Sequence, residues 1–416
     1  MISRPPIVEI SACRSCGSPD LVILRAFGET PLADRLERPD CMDISYRAPL
    51  TLCHCTTCGL CQIRETIKPR ILFGADYPYY SSVSPALLAH FHDSARAIMV
   101  HYPLRNEDWI IEAASNDGYM LEVFRTAGHR VLGIDPADGP VSEARRKGID
   151  TRHAFFTKAL AQELSEEGVK AKLFLANNVM AHVADVNDFI SGIESVLSDD
   201  GIVVIEVPYL LDLVDGCAFD TIYHQHLLYF SLTSLLPLLA RHGFELNDAE
   251  RLAIHGGSLR LFVSRQSGQS PRLVGLLNEE TQRNVNSIAF YDSFLARIDS
   301  LVQRTRNEVA RIRSAGKRIA GYGAAAKATT LLHVMDLPEG TLDVIYDKSR
   351  WKHGRRMPGS EIRICAPERL LLDNPDAVLL LAWNFAEEII NENTAYLAGG
   401  GRFLIPVPAF REVHEP

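Results

Sequence analysis

Residues 108–137 read DWIIEAASNDGYMLEVFRTAGHRVLGIDPA, and this order of textures decides how the rest of the chain is read. An apolar run passes into a short polar loop, then a helical stretch, then a second apolar run that stops at Asp135. Strand, loop, helix and strand in that order make a parallel sheet wound with helices. A carboxylate closing the second strand can accept both hydroxyls of a ribose, while the first loop approaches the polar tail of the same ligand. The loop carries a single glycine, Gly118, and an acid, Asp117, beside Ser115 and Asn116. A pyrophosphate needs more glycines for close backbone approach and is repelled by the acid. The sulfonium and ammonium of S-adenosylmethionine are attracted instead, so this cofactor is expected at Ser115, Asn116, Asp117, Gly118 and Asp135. A plain helix cap by Ser115 or Asn116 explains the turn; it does not explain the acid after the second strand.

The alternation continues outward. KLFLANN, GIVVIEVPY and LRLFVSR are further strand candidates, and the expected central α/β domain runs over 76–268. Before it, 1–75 is cysteine-rich, with short β-like pieces such as LVILRAFG and APLTLCHC. After it, 269–416 opens with one long helical pattern, in which Tyr291, Phe294, Leu295, Ile298, Leu301, Val302, Val309 and Ile312 recur near 3.6-residue spacing. A second α/β unit follows, with KRIAGYG, TLDVIYD, AVLLLAWN and GRFLIPVP as strands. A chain of 416 residues exceeds one ordinary core, and its 47% apolar content suits packed domains. The formal net charge of −9 argues against nucleic acid or an anionic membrane as the main partner. The start, MISRPPIVEISACRSCG, has no apolar targeting core, so a cytoplasmic protein is expected, as a monomer or weak dimer.

Seven of the nine cysteines fall between Cys13 and Cys61. Cys13-Arg-Ser-Cys16-Gly and Cys55-Thr-Thr-Cys58-Gly repeat one spacing, in which a tight turn aims two thiolates at one ion. Together they predict a closed zinc site of Cys13, Cys16, Cys55 and Cys58. A closed site has no open coordination position, so its expected role is structural, with Cys53 and Cys61 as spectators.

Residues 317–327, KRIAGYGAAAK, carry G-x-G-x-x-A at the start of a helix, with Asp347 ending the next strand. Alone this is a weak dinucleotide fingerprint, whose helix N-terminus and Lys327 would welcome a diphosphate. The loop DKSRWKHGRRMPG adds Lys348, Lys352, Arg355 and Arg356 as local positive charge.

Phe219 to Phe230, FDTIYHQHLLYF, sets Tyr223, His224, Gln225 and His226 side by side in an apolar frame. In an extended segment His224 and His226 would share a face. This patch, E-x-x-S-N-D-G at 112–118, NNVMAHV at 177–183 and HGGSLR at 255–260 together resemble the sugar C-methyltransferases, and the resemblance covers nearly the whole chain. Those enzymes use S-adenosylmethionine to methylate C-3 of a nucleotide-linked 4-keto sugar. The resemblance implies a small N-terminal zinc-binding module, a central Rossmann-like methyltransferase domain and a C-terminal second Rossmann-like α/β domain. It adds Glu112, Asn178 and His182 to the cofactor residues. It implies a dTDP- or GDP-linked 4-keto-6-deoxysugar as partner, held by Tyr77, His255, Ser258, Arg260, Gly323, Ala324, Lys327, Asp347, Lys352 and Arg356.

Carbon methylation requires a base at C-3 and donors at the C-4 oxygen as it gains charge. His226 is the expected base, because a neutral imidazole can take a proton without first losing one. Tyr223, His224 and Gln225 are expected beside it, and Tyr79 comes from a tyrosine-rich element shared with the family. This chain departs from the family pattern twice: Ala114 stands where glycine is usual, and Gln225 where glutamate is common. Two rivals remain at this level: an NAD(P)-dependent oxidoreductase built on the G-x-G-x-x-A unit, and a non-catalytic nucleotide-sugar-binding protein.

Overall fold

The computed structural model describes residues 2–3, 5–38, 45–73, 82 and 85–415. The opening stretch folds as its textures require. Trp109–Ala113 and Arg130–Asp135 pair in parallel, joined by the helix Leu121–Thr126. They belong to a seven-stranded sheet ordered Glu245–Leu252, Ser258–Ser264, Leu197–Pro208, Ala171–Asn177, Trp109–Ala113, Arg130–Asp135, Thr151–His153. The last five run parallel, and Ser258–Ser264 is antiparallel to both of its neighbours. Ala171–Asn177 lies at the centre and is almost wholly buried, as its unbroken apolar run demands. The edge strand Glu245–Leu252, sequence ELNDAERL, escapes a search for apolar runs because charge faces solvent along it.

The N-terminal sheet contains Leu21–Pro31, Ser45–Cys55 and Cys61–Ile63, and it recruits Leu228–Tyr229 from beyond the central strands. Leu228 pairs with Gln62 and Tyr229 with Cys61. The segment just after His226 is therefore a strand of the cysteine-rich module. The C-terminal sheet runs Ile364–Cys365, Ile345–Tyr346, Ile319–Tyr322, Ala377–Leu380, Phe403–Ile405 and an antiparallel Arg411–Val413.

The single long helix expected before that sheet is two helices, Pro271–Gln282 and Asp292–Ser314. Asn284 breaks the pattern with a left-handed backbone (φ 51°). The predicted stripe does face inward on the second helix, where Phe294, Ile298, Leu301, Val302, Val309 and Ile312 are buried. One apolar core runs from Leu50 in the first sheet through Phe230 and Phe294 to Leu404 in the last. Among the described residues no helix is long and apolar enough to cross a membrane.

Candidate active site

The strand that follows the 223–226 turn pairs with the cysteine-rich module. The Sγ atoms of Cys13, Cys16, Cys55 and Cys58 all lie within 4.8 Å of one another. The closest approaches, Cys13 to Cys58 and Cys16 to Cys55, are both 3.6 Å. Tetrahedral zinc at about 2.3 Å from each sulfur sets sulfurs about 3.8 Å apart, so the cage fits the ion. Gly17 and Gly59 take left-handed conformations (φ 73° and 77°), and their N–H groups donate back to the carbonyls of Cys13 and Cys55 at 2.9 Å. Cys53 and Cys61 are buried outside this cage, and burial pushes the Cys53 thiol up to about 12. Gln62 joins the cage to the chemistry: its Nε2 donates to Cys13 Sγ at 3.2 Å, and its strand carries Leu228.

At the C-terminal ends of the central strands the first loop bends tightly. Ala114, Asn116 and Gly118 all have positive φ (56°, 50° and 75°). Asp135 holds the bend, its two oxygens accepting the N–H groups of Asn116 (3.0 Å) and Ala137 (2.8 Å). Asn177 Nδ2 donates to Glu112 Oε1 at 3.0 Å. Burial pushes the Glu112 carboxyl up to about 8, with Asp135 and Asp117 adding to the rise against the Asn177 hydrogen bond. Glu112 Oε2, Ser115 Oγ and Asp117 Oδ1 are buried without partners. One orphaned atom at the strand end and two in the loop are what a polar, cationic ligand would satisfy. Two assignments change in kind. Asp117 is braced by Lys147 at 2.9 Å, so its charge already has a partner. Gly118 is needed for packing, since a Cβ there would meet Ile149 at 2.9 Å.

Asn178 continues this edge with a left-handed backbone (φ 53°) and donates its N–H to the Glu206 carbonyl. The short 3₁₀ turn Met180–His182 follows, and the Ala181 carbonyl accepts the N–H of Leu227 at 2.8 Å. That bond sets the 223–226 turn beside the 3₁₀ turn that follows Asn178. His182 Nδ1–H donates to the Gln225 carbonyl at 2.6 Å, and its ring lies 4.8 Å from that of His226. Burial lowers the His182 pKa and keeps it neutral.

Residues 223–226 form a turn closed by His226 N–H to the Tyr223 carbonyl at 2.9 Å. The segment is a turn and not extended, so His224 and His226 do not share a face. His226 Nδ1 lies 2.9 Å from the Thr221 carbonyl, which can only accept. Nδ1 therefore carries the proton, and Nε2, 2.9 Å from the Tyr223 hydroxyl, is the basic nitrogen. His224 points the other way, its Nε2 donating to Pro49 O at 2.9 Å. Burial pushes its pKa down to about 4. It is a neutral strut against the N-terminal sheet, not a donor in the site. The Gln225 side chain also leaves the His226 ring and reaches Ala33 O and Asp34 Oδ2, each at 3.4 Å.

The expected substrate residues divide. Asp347 repeats the Asp135 arrangement, accepting Ala324 N–H and Ser349 N–H at 2.7 Å each. Gly323 is required because a Cβ would meet Ala382 at 2.4 Å. Lys352 Nζ bonds Ala324 O at 2.9 Å and approaches Asp347 at 3.5 Å. Lys327 Nζ donates to Asn384 at 3.0 Å and lies over the Trp383 ring, whose N–H donates to buried Asp220 at 2.7 Å. Trp383 and Asp220 were not anticipated; the rule that ligands sit past the ends of parallel strands points to Trp383, just beyond Ala377–Leu380.

Three of the expected substrate residues are engaged within the protein. Ser258 Oγ turns back to the Ile254 carbonyl, and Arg356 clamps Glu361 and Glu37 between domains. Arg260 is held by Glu206 at 3.2 Å and by His90 at 3.2 Å, in a buried triad on the central sheet. Tyr77 and Tyr79 lie outside the described residues, as does the side chain of His255.

Comparison with known proteins matches this layout segment by segment. Family models for a zinc binding domain, a methyltransferase domain and a C-methyltransferase C-terminal domain match residues 13–73, 88–249 and 253–408. The chain is 34% identical over 408 residues to C-methyltransferase NovU of Streptomyces niveus, covering 97% of each. It is 28% identical over 127 residues to a ubiquinone biosynthesis O-methyltransferase of Azorhizobium caulinodans, covering 30% of this chain and 47% of that one. Magnesium protoporphyrin IX methyltransferase from Synechocystis, solved with S-adenosylmethionine, overlaps 43% of this chain and 79% of its own at 15% identity and TM-score 0.34.

Proposed function

This chain belongs to the C-methyltransferase family, and we propose that the carbon it methylates is C-3 of a nucleotide-linked 4-keto-6-deoxysugar. It is an S-adenosylmethionine-dependent methyltransferase with a structural zinc site. S-adenosylmethionine supplies, when bound, an electrophilic methyl on a sulfonium; the rest of the work falls to the chain's own side chains. Glu112, Ser115, Asn116 and Asp135 hold the donor, with Asn178 and His182 along its edge. Lys327 and Lys352, beside the loop of Gly323 and Ala324, hold the diphosphate end of a dTDP- or GDP-linked sugar.

The observation that carries this reading is the Tyr223–His226 pair. With Nδ1–H fixed on Thr221 O, the lone pair of Nε2 faces the Tyr223 hydroxyl at 2.9 Å. A C-3 proton made acidic by the C-4 ketone moves to Nε2, and its electron pair delocalises onto the C-4 oxygen. Tyr223 O–H then turns from the imidazole to donate to that oxygen. Inversion at C-3 is the expected outcome.

The test incubates the protein with S-adenosylmethionine and a panel of dTDP- and GDP-linked 4-keto-6-deoxysugars, reading methyl incorporation by mass. Solvent deuterium should enter C-3 of the accepted sugar without the donor. His226→Ala should abolish both signals and change S-adenosylmethionine affinity by less than about threefold. Full exchange in that variant would remove His226 as the base.

A further inference from the structure

Resting on the proposed reaction, we propose that Asp34 and Gln225 act as one acid–amide pair. In it Asp34 accepts the Gln225 amide and is a positioning residue for the turn that carries His226. The inference begins with what Gln225 does at its two ends. Its backbone carbonyl accepts His182 Nδ1–H at 2.6 Å, inside the methyl-transfer site. Its side chain runs the opposite way, with Nε2 3.4 Å from Asp34 Oδ2 and 3.4 Å from Ala33 O. Gln225 is only 2% exposed, and its Oε1 has no partner. The side chain is thus fixed by the amide donor alone, and the group that fixes it is an acid from another domain.

Asp34 is shaped for this task. It follows the strand Leu21–Pro31 and adopts a left-handed backbone (φ 59°), which aspartate tolerates better than most residues. Burial raises the Asp34 pKa, opposed by the charge of Lys352 and by the Gln225 hydrogen bond, with Asp347 adding to the rise. Two domains therefore join here at one acid and one neutral amide.

A glutamate at 225 would set a second carboxylate in contact with Asp34, away from water, where like charges repel strongly. In this chain 34 holds the acid and 225 the donor. Any shift in this contact moves the carbonyl that holds His182, and with it the ring packed on His226.

The experiment is a double-mutant cycle on the full-length zinc-loaded chain: wild type, Asp34→Asn, Gln225→Glu and both together. Tm is measured for all four, with kcat and KM for the sugar nucleotide that wild type turns over. Each single change should lower kcat at least about tenfold, and the exchanged pair should return to within about threefold of wild type. Single effects that simply multiply in the double variant overturn the proposal, as does an Asp34→Asn protein that loses Tm but keeps kcat. If Gln225→Glu does not fold alone, the exchanged pair must still fold and turn over faster than Asp34→Asn. A wild type inactive on every sugar would overturn the substrate reading, while rescue of Tm in the double variant still decides the pairing.

Discussion

His224→Gln separates the two histidines of the turn by stability rather than by rate. His224 is 1% exposed, with Nε2 on Pro49 O and Nδ1 unpartnered. Burial brings its pKa from 6.5 down to about 4, opposed by the Pro49 and Ala48 carbonyls. The unfolded chain takes up a proton at this ring as pH falls through 6.5, and the folded chain does not until about 4. Stability that is fully present above the unfolded value is lost progressively across that interval. At about 1.4 kcal/mol per pH unit, the loss approaches 3 kcal/mol, an order-of-magnitude figure. Glutamine can still donate to Pro49 but cannot titrate, so the variant should lack this slope. Urea unfolding followed by circular dichroism from pH 7 to 4 gives the difference between the two proteins, from which all other titrating groups cancel. The variant should be less stable by about 1 kcal/mol at pH 7 and should overtake wild type toward pH 4. Its kcat at pH 7 should stay within about threefold of wild type. Parallel pH curves would show that this ring is not held neutral by burial, and a large loss of kcat would return it to the chemistry.

Two further outcomes are expected. Ala114→Gly should raise stability by about 0.5–1 kcal/mol in thermal unfolding, because relief of the left-handed strain at φ 56° exceeds the added chain entropy; a drop would mean that the Ala114 methyl is packed and needed. Stripping zinc with a chelator, or Cys16→Ser, should abolish C-3 deuterium exchange and lower Tm. A closed zinc site contributes on the order of 10 kcal/mol, comparable to the whole stability of a domain. Cys61–Ile63, beside that cage, is what pairs with the strand after His226. Full exchange in a demonstrably zinc-free protein would uncouple the two.

The parts legible in the sequence were those written locally. Two C-x-x-C-G turns place four thiolates with no help from distant residues beyond bringing the turns together. The apolar runs on either side of Asn116-Asp117-Gly118 read directly as strands, and Asp135 lies where a strand end must lie. The edge strand Glu245–Leu252 and the break at Asn284 were not legible, because one depends on a neighbour to pair with and the other on a single backbone angle. The site divides in the same way. His226 and Tyr223 are three residues apart and meet within one turn.

The sequence by itself determined the three-part layout, the four-cysteine cluster, the strand-loop-strand unit ending at Asp135 and the meeting of Tyr223 with His226. Spacing encodes these, since each is built from residues within one or two turns of chain. Only the tertiary structure decided which way each member of Tyr223-His224-Gln225-His226 points. His224 finds Pro49 and Gln225 finds Asp34, partners 175 and 191 residues away. Such pairings are fixed by how three sheets pack around a shared core, and no periodicity in the chain records them. The same packing made Leu228–Tyr229 a strand of the zinc module. The 223–226 turn is held by a domain that its place in the sequence does not announce.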